Sequence, residues 1–440
     1  MKVSVIARTY EVPNGSKEVY KNILPHNPKL FKSDMKIFTG KSAGICYMPD
    51  TYLSEGIQNE EAALERSADN AKSGHYSVYE HGHVTFLIET NKMVAMVLNS
   101  MKLYSTSEKS ARYTLMKPET ELEEVMYNKW REKLKPVISA FYSDKKSKKD
   151  IEKLANENAR YMISVFTPTV IEYTIPYNRA VLLCGWLNKL SDEYVMKSCT
   201  YTVDKPFGIE ISSYMDKTVS DFFLRLSADL RELGSEIAKL IDEDINEPTL
   251  VDHKDILDNI EFINTKDYSE WERKSYYYDT YSTNYYGSFA MLAQAQRHRT
   301  LHYTFSFANE YKKEFIIPKI IKDSPLEKEW LEDIRSIYDA GIMPQGTLLV
   351  INESGRFEDF VLKAKERLCS RAQLEICDLT TKISKDFILY RSNLSHKNKK
   401  LLEQLFVKED KYNVCPRCQF IGYTCKEPCN MAKEALTRSI

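Results

Sequence analysis

The order of hydrophobic and polar residues predicts a helix and then a strand near the start of the chain. Residues 56 to 73 combine helix-forming residues with apolar positions at helical spacing, and Gly74 follows as a suitable C-cap. In the next segment Val84, Phe86 and Ile88 alternate with other side chains, and the β-branched content favours a strand over 83 to 89. This part of the chain is therefore predicted to mix helix and sheet.

Two further segments have the apolar spacing of helices. We predict one helix over residues 93 to 104 and another over 216 to 243, where apolar residues recur over several turns as in an amphipathic helix on a core. A Pro and a polar break follow the second helix, so we place a boundary near residue 246. The tail from about residue 408 forms a separate small unit.

Length and charge limit the classes of function. A chain of 440 residues is too long for one ordinary core and favours two or three domains. Lys and Arg number 62 against 63 for Asp and Glu, so no overall field attracts a nucleic acid or an anionic membrane. No apolar run is long enough for a membrane helix or a secretion signal. We therefore expect a cytoplasmic protein that acts on small molecules.

Three polar segments carry the candidate chemistry. The first places Arg297, His298 and Arg299 after a helix that contains Gln294, and arginine forks suit phosphate oxygens or an electron-rich ring. The second crowds polar side chains before the strand; a capped turn with surface histidines is the structural alternative. The third puts Glu, Ser and Arg on alternate residues, which would face the same way in an extended chain and could bind a nucleotide. The second and third segments contribute His75, Ser77, Glu80, His81, Glu108, Ser110 and Arg112.

Taken together, these segments resemble the flavin-dependent thymidylate synthases. That family has a G-H-x-S/T-x-x-E-H turn, a T-F strand, a Q-x-x-R-H-R helix end, an S-x-N-E-x-S-x-R-Y loop and an Arg before A-Q-x-E-I. The first half of the chain matches the turn, the strand and the nucleotide loop through Gly74, His75, Ser77, Glu80, His81, Thr85, Phe86, Ser105, Ser107 (for Asn), Glu108, Ser110, Arg112 and Tyr113.

The matches divide between two halves of the chain. The first half has Val97, Ser100, Met101 and Lys102 where the family has Gln and Arg-His-Arg. The second half keeps that motif, and it keeps an arginine before A-Q-x-E-I. Its nucleotide loop is replaced by His302, Thr304, Phe305, Phe307 and Asn309. The resemblance thus implies two tandem copies: residues 1–245, residues 246–407 and a tail at 408–440.

The resemblance implies an α+β fold, with a sheet backed by long helices in each copy and the copies joined as a pseudo-dimer. It further implies FAD, NADPH and methylenetetrahydrofolate, and methylation of dUMP to dTMP. Because the family builds its sites between subunits of a tetramer, a homodimer of this chain would form a pseudo-tetramer. Hydroxymethylation of a pyrimidine nucleotide and a non-catalytic flavin- or nucleotide-binding protein are the alternatives.

The family also implies a role for each matched residue. Arg367 would stabilise negative charge on the uracil ring as the catalytic arginine. The cofactor would be bound by His75, Ser77, Glu80, Arg297, His298 and Arg299. The nucleotide would be bound by Glu108, Ser110, Arg112, Gln294, Arg297 and Arg160. We expect Glu108, Ser110 and Arg112 to face Gln294 and Arg297 across the joint between the copies.

Four cysteines of the tail have the spacing C-x2-C-x6-C-x3-C, which is compatible with a structural Zn²⁺ site. They are Cys415, Cys418, Cys425 and Cys429. An iron-sulfur cluster or unligated thiols are the alternatives. The five scattered cysteines are predicted to be small core residues: Cys46, Cys184, Cys199, Cys369 and Cys377.

Overall fold

A computed structural model describes most of the chain and shows two four-stranded antiparallel sheets, two small two-stranded sheets and helices around them. The described residues are 1–9, 35–47, 54–73, 76–101, 104–143, 146–198, 202–204, 210–212, 216–241, 269–274, 278–308, 314–389, 391–407, 410–420, 422–425 and 434–439.

The strands, in chain order, are β1 (Lys2–Arg8), β2 (His83–Asn91), β3 (Ser105–Glu108), β4 (Pro168–Pro176), β5 (Thr202–Asp204), β6 (Glu210–Ser212), β7 (Ser269–Lys274), β8 (Tyr278–Ser288), β9 (His302–Phe307), β10 (Leu348–Arg356), β11 (Phe406–Val407) and β12 (Asp410–Val414). The two small sheets are β5-β6 and β11-β12.

The α-helices are α1 (Met35–Tyr47), α2 (Glu55–Gln58), α3 (Glu60–Ser73), α4 (Lys92–Ser100), α5 (Glu121–Phe141), α6 (Lys148–Ala159), α7 (Tyr177–Ser198), α8 (Lys217–Ile241), α9 (Phe289–Ala295), α10 (Glu327–Asp339), α11 (Phe357–Arg367), α12 (Leu374–Leu389) and α13 (His396–Glu403). Short 3-10 turns span Tyr76–His81, Arg160–Met162, Arg391–Asn393 and Arg417–Gln419.

The two four-stranded sheets have corresponding strand orders. The first is ordered β1-β2-β4-β3 and the second β7-β8-β10-β9, and all neighbours in both sheets are antiparallel. The register also corresponds, as two rows of paired residues show. Ile171 pairs with Ile88 and Glu108 in the first sheet, whereas Ile351 pairs with Tyr285 and Phe305 in the second.

A helix starts directly after the second strand of each sheet, and it starts for the same chemical reason. The side chain of Asn91 accepts a hydrogen bond from the Val94 backbone N–H at the start of α4. Ser288 does the same for the Met291 N–H at the start of α9. Each N-cap satisfies a backbone donor that the first helical turn would otherwise leave unpaired. The helices therefore begin at matching positions in the two sheets.

The two halves of the chain are joined by backbone hydrogen bonds and by a common core. Val165 N–H donates to the Met343 carbonyl at 3.0 Å and Gln345 N–H donates to the Ile163 carbonyl at 2.8 Å. Apolar residues from Val3 to Phe420 belong to one buried cluster. Burial of this continuous apolar surface favours the docked arrangement of the sheets.

Helix α8 closes part of this core because its apolar residues recur at helical spacing. Phe222, Leu226 and Leu230 are among its buried side chains, and each buried side chain of this size contributes roughly 1.5–3 kcal/mol. On the other side of the joint, Trp130 of α5 meets Trp330 of α10 edge to face at 4.7 Å. Aromatic contacts between the halves thus occur at two separate places, at Trp130 with Trp330 and at Phe222 with Phe289 of α9.

The mixed helix and sheet class predicted from the sequence is confirmed. The strand over 83 to 89 and the helix over 216 to 243 are confirmed as β2 and α8, and the helix over 56 to 73 is present as α2 and α3 with an extended Asn59 between them. The proposed boundary near residue 246 lies outside the described residues. The tandem duplication and the three domain ranges stay predictions.

The helix predicted over 93 to 104 was too long. Helix α4 ends at Ser100 because Met101 is extended, with ψ at 157°, and β3 begins at Ser105. The buried ring of Tyr104 explains the change, since its hydroxyl donates to the Asn99 carbonyl at 2.9 Å. Apolar spacing alone did not distinguish a buried loop residue from one more helical turn. In the part of the chain that the structure describes, no helix is both long and apolar enough to cross a membrane.

Candidate functional site

A polar cleft lies at the joint between the two halves. Its empty volume, with the open solvent at its mouth included, is about 570 Å³. The described residues that line it are Lys92, Met96, Glu108, Lys109, Ser110, Ala111, Arg112, Arg160, Val165, Phe289, Ala293, Gln294, Arg297 and Gln345. We call it the joint cavity.

The joint cavity brings together predicted nucleotide residues from both halves. Glu108, Ser110 and Arg112 come from β3 and the turn after it, while Gln294 and Arg297 come from α9 and the residues that follow. The sequence predicted that these two groups face each other, and in the structure both groups line the same cavity. Their roles in binding stay predictions.

The charge of the cavity lining is strongly positive. Its five cationic residues are Lys92, Lys109, Arg112, Arg160 and Arg297, and Glu108 is the one carboxylate among the described lining residues. Glu108 accepts from Lys92 Nζ at 2.6 Å, and the side chain of each is only 11% exposed. A concave site with this charge attracts an anion.

The loop that carries Ser110 and Arg112 has a different conformation from the one predicted. Strand β3 ends at Glu108, and a turn begins at Ala111, where Thr114 N–H donates to the Ser110 carbonyl at 3.1 Å. Arg112 pairs with Glu157 and donates through Nη2 to the Arg371 carbonyl at 2.7 Å. Alternation on an extended strand is therefore not what brings the three side chains together; the turn and the Glu157 pair do so.

Gln294 is the clearest sign that the cavity accommodates a polar ligand. Its side chain is only 8% exposed, and within the described part of the chain neither its Nε2 nor its Oε1 has a hydrogen-bond partner. Burying an amide without partners costs roughly 1–3 kcal/mol. Such a cost is expected where a ligand supplies the missing partners. Arg297 lies exposed at the same cavity.

Arg160 is buried at the base of the cavity and connects it to α12. Its Nη2 donates to the Ala290 carbonyl at 2.9 Å and to Gln373 Oε1 at 2.6 Å. Burial lowers the pKa of Arg160 and the neighbouring Glu157 opposes that change, so the guanidinium stays charged at neutral pH. Its Nε has no partner among the described residues.

His298 and Arg367 form a second cluster beside the cavity. Arg367 Nε donates to His298 Nε2 at 2.8 Å and Arg367 Nη2 donates to the Gln294 carbonyl at 3.3 Å. Burial, Arg367 and Lys363 lower the pKa of His298 to about 2, so the imidazole is neutral and its proton is on Nδ1. Neither residue is part of the cavity lining. Arg299 points elsewhere and donates to the Tyr104 carbonyl.

The residues predicted to hold the rest of the cofactor do not reach this site. Ser77 and Glu80 are exposed on the 3-10 turn, which packs against α1 and α7, and Arg179 lies 3.8 Å from Glu80. His75 lies outside the described residues. Within one chain, the predicted cofactor residues therefore lie at two places: Ser77 and Glu80 on the 3-10 turn, and Arg297 and His298 at or beside the joint cavity.

The tail packs on the loop that follows Arg367. Arg417 N–H donates to the Leu368 carbonyl at 2.6 Å, and Arg438 Nη2 donates to the Ala372 carbonyl at 2.7 Å. Burial raises the pKa of Cys415 to about 11. Among the described residues, no three His, Cys, Asp or Glu side chains form a group that could hold a metal ion. Cys429 lies outside them, so the described thiols alone do not fit a zinc site.

Two scattered cysteines are buried as predicted, Cys184 and Cys377. Cys369 is only partly buried and lines a second cavity, with Cys418 and Cys425 on its other walls. Cys199 and the side chain of Cys46 lie outside the described part.

Sequence reasoning missed Lys92, Gln345 and Gln373. Lys92 and Gln345 belong to no motif, and Gln373 is the glutamine of the A-Q-x-E-I segment but was given no role in the site. Each is recognised through contacts with residues far away in the sequence. A lysine at the first position of α4 is unusual, since helix N-termini repel cations, and that was the one available signal.

Comparison with known families agrees with the motif analysis for the first half. Residues 34–179 match the family model described as thymidylate synthase complementing protein. The matched residues include the turn, the strand and the nucleotide loop whose motifs resemble those of the flavin-dependent thymidylate synthases. No curated protein sequence matches the chain.

Two solved structures illustrate the similarity. A UMP/dUMP methylase, PolB from Streptomyces cacaoi bound with 5-Br dUMP, is 13% identical, with 54% of this chain and 88% of that chain covered and a TM-score of 0.28. The flavin-dependent thymidylate synthase ThyX from Helicobacter pylori, complexed with FAD and dUMP, is 13% identical, with 54% and 93% covered and a TM-score of 0.28. Scores this low do not establish a common fold over the whole chain.

Proposed function

We propose that the joint cavity binds dUMP and that the chain is a cytoplasmic enzyme that methylates it to dTMP. FAD, NADPH and methylenetetrahydrofolate are the proposed cofactor, reductant and one-carbon donor. One observation carries the proposal: the nucleotide-loop residues of the first half and the Gln294 and Arg297 pair of the second half line a single cavity.

The chemistry of the lining suits a nucleoside monophosphate. Guanidinium N–H groups bind phosphate oxygens. Arg297 is exposed at this cavity, and the Nε of Arg160 has no partner among the described residues. The amide of Gln294 offers a donor and an acceptor that lack protein partners. A pyrimidine ring presents carbonyl oxygens and an N–H group that complement such an amide.

Arg367 is the proposed catalytic arginine. His298 and the Gln294 carbonyl hold its guanidinium, so its position is fixed before a ligand arrives. A preorganised cation next to the uracil ring would stabilise negative charge that develops there. Because His298 is neutral, the positive charge of this cluster comes from Arg367 rather than from the imidazole.

Bound FAD would supply the redox chemistry that the side chains cannot perform. Its proposed ligands are His75, Ser77, Glu80, Arg297, His298 and Arg299. Because Ser77 and Glu80 lie away from the joint cavity, we propose that a second copy of the chain presents its own turn there. The resulting homodimer would have four of the four-stranded sheets, and sedimentation at several protein concentrations tests whether it forms.

We also propose a structural Zn²⁺ ion bound by Cys415, Cys418, Cys425 and Cys429. The support is the cysteine spacing, which suits four thiolate ligands. Elemental analysis of the purified chain tests it: one zinc per chain is expected, and iron with sulfide would identify a cluster instead.

The decisive experiment incubates the purified chain with FAD, NADPH, methylenetetrahydrofolate and dUMP and measures the mass of the nucleotide product. A gain of one methyl group in place of hydrogen supports the synthase. A hydroxymethyl product would identify the related reaction, which the altered loop from His302 to Asn309 makes conceivable. Unmodified dUMP despite bound flavin would indicate a binding protein.

A pair of variants tests whether the site is divided between the halves. Arg112→Ala and Arg297→Ala alter one cationic residue from each half, and both should reduce dUMP methylation by at least roughly 100-fold. Arg231→Ala is the matched control, since its side chain is 58% exposed and pairs with Asp192 on the surface. Full activity of either cavity variant would contradict the shared site.

A further inference from the structure

Lys92 occupies an unfavourable position unless it has a specific partner. It is the first residue of α4, where the helix dipole repels positive charge, and its side chain is only 11% exposed. Burial lowers its pKa, and Glu108 opposes that change. A buried lysine at a helix start requires a compensating contact from elsewhere in the fold.

Glu108 provides that contact from the facing edge strand. Lys92 Nζ donates to Glu108 Oε1 at 2.6 Å and also to the Lys109 carbonyl. Among the described residues, the other carboxylate oxygen, Oε2, has only a long contact of 3.5 Å with Asn99 Nδ2. One oxygen of Glu108 is thus committed to Lys92, and the second is held much more weakly.

Two of the other cations that line the cavity have partners of their own. Arg112 pairs with Glu157, and Arg160 donates to Ala290 and Gln373. Without Lys92 the carboxylate of Glu108 would stand in the cavity uncompensated by a direct pair. An uncompensated carboxylate there would repel a phosphate, since the interaction between charges is strong in a site shielded from water.

We propose that Lys92 is a positioning residue that neutralises Glu108 and so allows one cavity to hold a phosphate and a hydroxyl donor together. The inference rests on the proposed nucleotide function and names a determinant that no motif contains. In this arrangement the cationic groups bind the phosphate, while Glu108 Oε2 accepts a hydrogen bond from the sugar. The ligand class is a phosphorylated nucleoside with a free sugar hydroxyl.

The experiment measures calorimetric binding of dUMP and of uncharged deoxyuridine to the full chain and to Lys92→Met. The variant should bind dUMP at least roughly 30-fold more weakly, because the unpaired Glu108 carboxylate repels the phosphate. Deoxyuridine, which lacks the phosphate, should change by less than about 3-fold because it carries no charge for Glu108 to repel. A purely structural defect would weaken both ligands alike.

A second substitution that restores dUMP binding to Lys92→Met would show that the loss is due to the charge of Glu108 and not to the changed shape of the lysine side chain. In Lys92→Met/Glu108→Gln the unpaired charge is gone, so dUMP affinity should return to within about 3-fold of that of Glu108→Gln. Lys189→Met is the matched control, because it breaks an exposed pair with Glu193 on α7. Thermal melts test whether each variant is folded. If Lys92→Met is not folded, the comparison of the double variant with Glu108→Gln tests the inference instead.

Two results would overturn the inference. The first is that folded Lys92→Met binds dUMP with the affinity of the unaltered chain. The second is that the double variant binds dUMP roughly 30-fold more weakly than Glu108→Gln. Either result would leave the proposed nucleotide function intact. Failure of the unaltered chain to bind dUMP would instead remove the proposed function, and this inference with it.

Discussion

On one side of the joint, strand β3 and the end of α9 present charged and polar groups to a cavity. On the other side, β9 and the end of α4 occupy the corresponding places and present mostly apolar groups. Counted from the N-caps Asn91 and Ser288, the corresponding pairs are Glu108 and Phe305, Ser110 and Phe307, Gln294 and Val97, and Arg297 and Ser100.

The apolar side is filled by aromatic rings. Phe307 meets Phe222 of α8 at 5.4 Å, Phe223 at 6.0 Å and Phe305 at 6.3 Å, all edge to face. Edge-to-face pairs at such distances contribute beyond their buried area. The comparison shows that one backbone frame supports either a ligand cavity or a packed interior, and that a few side chains decide between them.

The largest expected effect comes from removing the buried cation of the polar side. Arg160→Met leaves the Gln373 amide and the Ala290 carbonyl without their donor, which should lower the free energy of unfolding by about 3–5 kcal/mol. dUMP binding should fall by at least roughly 100-fold. Denaturant unfolding and calorimetry measure the two effects. Arg231→Met, on the surface, should change stability by less than about 1 kcal/mol.

A core substitution tests the apolar side. Phe305 is fully buried, so Phe305→Ala should destabilise the chain by about 3–4 kcal/mol through the cavity that it creates. The variant should still bind one dUMP per chain, because Phe305 does not line the joint cavity. Phe141→Ala, with a side chain that is largely exposed, is the control. A second bound nucleotide in the wild-type chain would contradict the contrast between the two sides.

Gln294→Leu makes the position of Gln294 apolar, as the corresponding position in the other half is through Val97. Because neither polar atom of Gln294 has a partner among the described residues, the variant should gain about 1–2 kcal/mol of stability. It should at the same time lose roughly 10-fold in dUMP affinity. Gln296→Leu is the comparison, since Gln296 Nε2 donates to the Met96 carbonyl at 3.3 Å and its loss should destabilise. Reduced stability of Gln294→Leu would mean that the amide is satisfied without a ligand.

The smallest effect is the pH dependence due to His298. Its pKa is about 2 in the folded chain against an ordinary value of 6.5, so below pH 6.5 the unfolded chain binds a proton that the folded chain does not. Stability is therefore lost as the pH falls from 6.5 toward 2. At pH 5.5 the loss from this group should be about 1 kcal/mol. His298→Gln should remove that part of the slope, whereas His81→Gln, at an exposed site, should not.

The fold was predictable from sequence where the hydrophobic pattern is long. The apolar repeat of α8 and the alternation in β2 depend on neighbours within the same element, so local spacing was sufficient. Helix α4 was predicted too long because Tyr104 is buried in the loop that follows it, where its hydroxyl donates to Asn99 and its carbonyl accepts from the distant Arg299. That contact has no local signal.

The candidate site was predictable only in its motif residues. Glu108 and Arg297 were found through the family pattern, but the extended geometry expected for Ser110 and Arg112 was wrong because the Glu157 pair shapes a turn. Lys92 was missed entirely. Lys92 matters because it pairs with Glu108 on strand β3, and a single sequence does not reveal that pairing.

The span of the contacts around the cavity has a consequence for the order in which the chain folds. Arg112 binds the carbonyl of Arg371 and Arg160 binds Gln373, so each contact closes a loop of more than 200 residues. Loops of that length close late, after local helices and hairpins have formed. The cavity is therefore a product of complete folding, and a nucleotide that binds in it stabilises only chains in which both sheets have docked.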